Sequence, residues 1–268
     1  MTPELDTILD AAREAARRAG RLLMEYYGRP LEVRHKGTID LVTEADLASE
    51  RVLLADLRER FPGHGILSEE DAGAAGAPPE GPTWIVDPLD GTTNFAHGYP
   101  WFAVSVAFMD GGRVQAGAVY HPVLDECLWA GRGRGAWLND APVRVSAAAD
   151  LGEALLATGF PYDVQERPAP VLEALGAVLV RAQGIRRAGS AALDLAGVAC
   201  GRLDGFWEIK LKPWDTAAGA LLVEEAGGRV STFDGGPWSP FTPEIAASNG
   251  RLHGAMLDLL GPFAGRTR

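Results

Sequence analysis

Apolar side chains recur at helical spacing from the start of the chain. Leu5, Ile8, Leu9, Ala12, Ala16, Ala19, Leu23 and Tyr26 form one stripe, Thr2 can cap it and Pro3 suits a first turn, so a helix is predicted over residues 4 to about 27, ended by Gly28. A second helix is predicted over residues 44–60, capped by Thr43 and closed by Pro62-Gly63. The pattern then shortens to strands. Residues 65–68 lead into Glu69-Glu70-Asp71, and residues 83–87 form a compact buried strand that Pro88 should stop. Residues 101–109 and 113–121 flank Asp110-Gly111-Gly112, the signature of an antiparallel hairpin, so the sheet cannot be purely parallel. A further strand is predicted at 126–130. The back half alternates again, with helices at 168–182, 190–200 and 215–226 and a strand at 203–208. Helices and strands are layered throughout, which is an α/β pattern with mixed, partly antiparallel sheets.

The chain has 268 residues, 47% hydrophobic and 23% charged, the composition of an ordinary globular protein of one large or two modest domains. A soft boundary near Ala147-Ala148-Ala149-Asp150 divides residues 1–148 from 149–268. A balance of 25 basic and 36 acidic residues gives a net charge of −11, which opposes contact with a nucleic-acid backbone or an anionic membrane. Nucleic acid is therefore not expected as a partner. Cys127 and Cys200 have no C-x-x-C spacing, which argues against a disulfide framework or a zinc site and suits a reducing cytoplasm. The polar, acidic N-terminus and the lack of a long apolar run predict neither export nor membrane insertion.

Common nucleotide and hydrolase motifs fail. Gly131 to Ala136 matches G-x-G-x-x-A, but residues 137–142 cannot open a helix to receive a pyrophosphate, so it reads as a turn. There is no P-loop, no G-x-S-x-G, and no pair of histidines four residues apart.

Asp87-Pro88-Leu89-Asp90-Gly91-Thr92-Thr93-Asn94 is more informative. A strand delivers Asp87 to the sheet edge, Asp90 returns three residues later, and Gly-Thr-Thr follows with backbone amides able to cradle an anion. Alone, the segment reads first as a hydrogen-bonded Asp/Gly turn. More carboxylates stand elsewhere: Glu69 and Glu70 at a strand end, Asp46 at the third position of the second helix, and Asp215 after Trp214. Asp46 could simply complete a capping box with Thr43, and Asp215 could simply cap its helix. If Asp87, Asp90, Asp215 and Glu69 converge, each pair ~4 Å apart repels by about 4 kcal/mol at an effective dielectric of 20. Divalent cations resolve that repulsion, and a donor set without His or Cys selects Mg²⁺ or Mn²⁺.

With these residues in place, the sequence resembles the inositol monophosphatases within the lithium-sensitive, Mg²⁺-dependent phosphatases. The likeness runs through Asp40-Leu41-Val42-Thr43-Glu44-Ala45-Asp46, Ile66-Leu67-Ser68-Glu69-Glu70, the central segment from Trp84 to Phe95, Trp214-Asp215 and Glu224 to Gly228. Two departures touch no ligand: Ser68, where many relatives have Gly, and the idiosyncratic loop 72–82. The resemblance implies one unit over residues 1–268, a layered αβαβα sandwich and a homodimer. It implies two or three Mg²⁺ ions, the first on Glu69, Asp87 and the Leu89 carbonyl, the second on Asp87, Asp90 and Asp215, with Glu69 also reaching a weaker third. Thr92, paired with Asp46, would activate the attacking water, while the amides of Gly91 and Thr92 face phosphate oxygens. Lys36 and Asp40 would lie in a mobile loop over the metals. Asp90, Gly189, Ser190, Ala191 and Glu208 match the contacts to the alcohol half of the substrate.

The function so implied is hydrolysis of a small phosphate monoester by metal-activated water, with inositol 1-phosphate first. Fructose 1,6-bisphosphate, histidinol phosphate and 3′-phosphoadenosine nucleotides are alternatives on the same core, and Arg186, Arg187, Lys210 and Lys212 could hold a second phosphate. An aspartyl-phosphate phosphatase is disfavoured, because D-x-x-D-G-T differs by one residue from D-x-D-G-T. A non-catalytic binding protein is disfavoured by the full set of ligands.

Overall fold

The computed structural model describes residues 3–30, 33–35, 41–70 and 80–266. The front half contains α1 (Pro3–Tyr26), β1 (Val33–His35), β2 (Leu41–Thr43), α2 (Glu44–Arg60), β3 (Gly65–Ser68), β4 (Thr83–Asp90), the short α3 (Thr92–Ala96), β5 (Ala103–Asp110), β6 (Arg113–His121), β7 (Glu126–Gly131), β8 (Ala136–Leu138) and β9 (Ala141–Val143). The back half contains β10 (Leu155–Thr158), α4 (Ala169–Leu179), β11 (Gly184–Arg186), α5 (Ala191–Ala199), β12 (Gly205–Ile209), α6 (Pro213–Glu225), β13 (Arg229–Ser231), β14 (Glu244–Ser248) and α7 (His253–Leu260).

Strands β3 to β9 form a seven-stranded sheet in sequence order, parallel at β3–β4 and antiparallel from β4 onward. The second sheet has the order β11-β10-β12-β14-β13, with β10 parallel to both neighbours and β14 antiparallel to both of its own. Helices α1 and α2 cover one face of the first sheet, α5 and α6 lie between the two sheets, and α4 and α7 cover the far face of the second. The result is the expected αβαβα sandwich with mixed sheets. Among the described residues no helix is long and apolar enough to cross a membrane. Both cysteines are free.

Small residues set the close spacing of the first layer. Ala11, Ala12, Ala15, Ala16 and Ala19 of α1 are at most 1% exposed, so the helix backbone settles directly on the sheet. Alternation along β4 then sorts side chains between layers: Trp84 and Val86 pack under α1 and α2, and Ile85 packs toward α5 and α6. Two residues on from Ile85, Asp87 inherits that face, where α6 begins.

One sequence expectation fails here. Pro88 does not stop the strand; β4 runs on to Asp90, and its register with β5 shifts between Asp87 and Asp90. The ladder is already interrupted at that irregularity, and β3 pairs only as far as Val86, so the missing proline N–H costs no hydrogen bond. The third back-half helix also begins earlier than predicted, with Pro213 in its first turn and Asp215 as its third residue.

Candidate active site

The carboxyl ends of β3 and β4, the turn after β12 and the first turns of α3, α5 and α6 line one cleft of about 570 Å³. This follows from topology. Parallel pairing puts the ends of β3 and β4 at one sheet edge and those of β10 and β12 at another, and α5 and α6 between the sheets present their N-termini there. Helix N-termini favour negative charge, so the same place suits carboxylates and phosphate.

Asp87 and Asp90 are 1% and 8% exposed, and Asp215 is half-buried. The amide of Leu89 donates to Asp87 Oδ1 at 2.9 Å. Asp90 Oδ2 accepts from Ser190 Oγ at 2.5 Å and from the Ala192 amide at 2.9 Å, which joins the front-half motif to the cap of α5. Asp215 Oδ2 accepts from the Lys212 amide at 2.7 Å, so it caps α6 from within the first turn while lining the cleft. Burial first, then the charges of Glu69, Asp90 and Asp215, holds Asp87 well above the usual carboxylate range. Burial with Glu69 and Asp90 does the same for Asp215, and burial raises Asp90 to about 6.

Glu69, Asp87, Asp90 and Asp215 thus stand close enough for their charges to act on one another. Among the described residues no three acidic, His or Cys side chains already form a ready-made metal shell. The donor chemistry nevertheless fits hard divalent cations: the group is all oxygen, and its members penalise one another's charge until a cation offsets it. Lys36 and Asp40 lie outside the described residues.

Asp46 makes both contacts considered for it, to Thr43 and to Thr92. Its Oδ2 accepts from the Thr43 amide at 2.9 Å and from Thr43 Oγ1 at 2.5 Å, which closes a capping box on α2. Its Oδ1 accepts from Thr92 Oγ1 at 2.9 Å. The same hydroxyl lies 3.0 Å from the Leu89 carbonyl. Burial raises the Asp46 pKa against the pull of its hydrogen bonds to Thr43 and Thr92, which makes it a better proton acceptor. Gly91 precedes α3 with φ 93°, and a Cβ there would come within 3.0 Å of the Trp101 carbonyl, so glycine is required for the chain to enter the helix.

Glu208 also lines the cleft, within reach of the charges of Asp194 and Asp90, 8% exposed and without a hydrogen-bond partner among the described residues. Its carboxyl rests on Gly159, where a Cβ would fall 2.0 Å from Oε2. Burial, then the charge of Asp194, raises it to about 8, against the opposing field of Arg187. Ser190 caps α5 through its bond to the Leu193 amide, and Gly189 and Ala191 line the cleft beside it. Of the four basic residues considered for a second phosphate, Arg187, Lys210 and Lys212 line the cleft, and Lys210 is ion-paired with Asp163.

Sequence reasoning gave no role to Asn94 or Asp194. Asn94 Nδ2 donates to the carbonyls of Trp101 at 2.7 Å and Ala188 at 2.8 Å, and so holds the front motif against the loop before α5. Its place in the central motif was the available signal. For Asp194 the signal was an acid set within the apolar run of α5.

These buried carboxyls make the metal-free protein sensitive to alkali. Raised folded-state pKa values mean that Asp90 and Glu208 keep protons the unfolded chain has already released above about pH 4 to 5. Their contribution is fully present below those unfolded values, and is lost as pH rises through about 6 for Asp90 and about 8 for Glu208. After chelation, Tm followed by calorimetry should therefore fall steadily between pH 5 and pH 8. A Tm that climbs over that range would contradict the assignment.

The sequence profile of the inositol monophosphatase family matches residues 4–261. The chain belongs to the inositol monophosphatase family. It is 45% identical over 252 residues to the Escherichia coli protein named Nus factor SuhB, covering 93% of this chain and 94% of that one. It is 43% identical over 251 residues to inositol-1-monophosphatase of Synechocystis sp., covering 93% and 87%. The inositol monophosphatase structure from Anabaena (Nostoc) sp. superposes with a TM-score of 0.87 at 43% identity, covering 97% of each chain. Membership of the inositol monophosphatase family makes the protein a phosphoric monoester hydrolase.

Proposed function

We propose that this phosphatase hydrolyses a small polyol monophosphate, inositol 1-phosphate first, to the free polyol and phosphate. The observation that carries the substrate choice is Glu208, a buried carboxyl with no protein hydrogen-bond partner among the described residues, lining the same cleft as Asp90 and Thr92. Such a group is satisfied by a donor from a ligand, and a polyol hydroxyl is one. Glu69, Asp87 and the Leu89 carbonyl would hold one Mg²⁺, and Asp87, Asp90 and Asp215 a second, with Glu69 reaching a third. When bound, the ions supply positive charge to the phosphoryl group and lower the pKa of water.

The chain's own residues supply proton handling and orientation. With the Thr92 proton directed at Asp46 Oδ1, the Thr92 oxygen turns its lone pairs to the cleft and can accept a proton from water while its own passes to the Asp46 carboxylate, which is neutralised. The Gly91 and Thr92 amides face the phosphate. Asp90, already fixed by Ser190 and Ala192, contacts the polyol together with the Gly189-Ser190-Ala191 segment. Each chain is one structural unit over residues 1–268, with metal-binding residues concentrated in 1–148 and substrate specificity in 149–268. It acts as a cytoplasmic homodimer inhibited by Li⁺.

A bisphosphate is the main rival, since Arg187 and Lys212 line the cleft; pairing of Lys210 with Asp163 removes one of the charges that rival needs. The test is kcat/KM on inositol 1-phosphate, fructose 1,6-bisphosphate, histidinol phosphate and a 3′-phosphoadenosine nucleotide. Inositol 1-phosphate should rank first, and Glu208→Gln should lower that value roughly 5- to 150-fold, the worth of one buried contact of about 1–3 kcal/mol, while sparing p-nitrophenyl phosphate. A higher value for fructose 1,6-bisphosphate that collapses when Lys210 and Lys212 are replaced would overturn the monophosphate reading.

A further inference from the structure

We propose that Asp194 is a second substrate-recognising carboxyl, which with Glu208 reads two neighbouring hydroxyls of one polyol in the cleft. The proposal rests on the polyol-phosphatase reading and narrows its substrate class to alcohols carrying a vicinal diol beside the ester.

Asp194 lies one turn into α5 and is 2% exposed. Its Oδ1 is fully enclosed and has no hydrogen-bond partner among the described residues. Every other buried side chain of α5 is apolar, so packing alone would be served by Leu or Ala. An enclosed carboxyl with an unfilled acceptor is costly, and persists where a ligand satisfies it. Asp194 lines the cleft beside Glu208, which likewise lacks a partner. The cation nearby is Arg187, stacked over the Phe160 ring with its guanidinium carbon 5.0 Å from the centroid.

Charge selects among ligands. Two buried carboxyls offer none of the positive charge that binding a phosphate or carboxylate requires. A metal ion would need a third acidic ligand, which no group among the described residues completes, and it would sit beside Arg187. Neutral hydroxyls suit both constraints: each can donate to one carboxyl, and their oxygens can accept from the guanidinium. Asp194 also raises the Glu208 pKa, so the two carboxyls respond to one another across the same space.

The experiment assays Asp194→Asn and Asp194→Ala on inositol 1-phosphate, on the monodeoxy-inositol 1-phosphates, and on p-nitrophenyl phosphate, which has no hydroxyl. Asp194→Ala should raise KM for inositol 1-phosphate about tenfold with kcat within about twofold, and Asp194→Asn, which keeps an acceptor, should fall between it and wild type. Both should leave kcat/KM on p-nitrophenyl phosphate unchanged. One deoxy ester should lose its sensitivity to Asp194→Ala, and a different one its sensitivity to Glu208→Gln. Tm should hold or rise, because a costly buried carboxyl is gone. Equal losses on inositol 1-phosphate and p-nitrophenyl phosphate, or a lowered Tm with unchanged KM, would make Asp194 structural and overturn the proposal while leaving the phosphatase reading intact. Wild-type enzyme that handles inositol 1-phosphate no better than p-nitrophenyl phosphate would overturn both, before any variant is made.

Discussion

Asp90→Asn and Asp215→Asn should each remove turnover of inositol 1-phosphate, lowering kcat/KM by at least about a thousandfold. The loss corresponds to roughly 4 kcal/mol, within the several kcal/mol that metal charge stabilisation supplies to such a displacement. Both substitutions keep the local fold. At Asp90, the amide oxygen of Asn can still accept from Ser190 Oγ and the Ala192 amide, which leaves the NH₂ group where a carboxylate oxygen faced the cleft. At Asp215, the amide oxygen can still accept from the Lys212 amide and cap α6. What disappears is one negative charge from a group of four that repel one another. Tm of the chelated protein should therefore hold or rise in both variants. Activity within tenfold of wild type would exclude these residues from the metal set, and a large fall in Tm would trace the loss to folding instead.

The second large effect separates two duties of one carboxylate. Thr92→Ala should cut kcat by about 10² to 10³, within the range of general acid–base contributions, with KM nearly unchanged because the backbone amide at that position remains. Its Tm should barely move, since a single hydroxyl bond is worth about 1 kcal/mol. Asp46→Asn should lower kcat similarly and also lower Tm, because Oδ2 closes the capping box with Thr43 while Oδ1 holds Thr92. If Asp46→Asn lowers Tm and spares kcat, Asp46 is only a cap.

The contrast between these two sites shows what a single sequence carries. Long periodic elements were legible: the apolar stripe of α1 and the hairpin meeting at Gly111-Gly112 appear where the pattern puts them. Strands β8 to β11 and β13 are only three or four residues long, too short to display alternation, and their existence is decided by neighbours. Pro88 was read by its local rule, and the rule gave way because the strand edge there had no hydrogen bond to lose. Within the site, Asp87 and Asp90 were visible because they share one strand and turn. The bond from Ser190 to Asp90 spans 100 residues, and the meeting of α5 with β4 that makes it arises from the layering of two sheets. Asp46 illustrates the limit most clearly: capping box and Thr92 bond were weighed as alternatives, but a carboxylate has two oxygens and serves both. Asp194 stayed hidden for the opposite reason, since an acid in an apolar helix is anomalous only once its lack of a partner can be seen.

The central claim, that converging carboxylates make this chain a Mg²⁺-dependent phosphomonoesterase, is tested most directly by phosphate release from inositol 1-phosphate titrated with Mg²⁺ after exhaustive chelation. The account predicts no turnover in chelator, recovery as Mg²⁺ is restored, and no recovery in Asp90→Asn or Asp215→Asn. Full activity in excess chelator would contradict it.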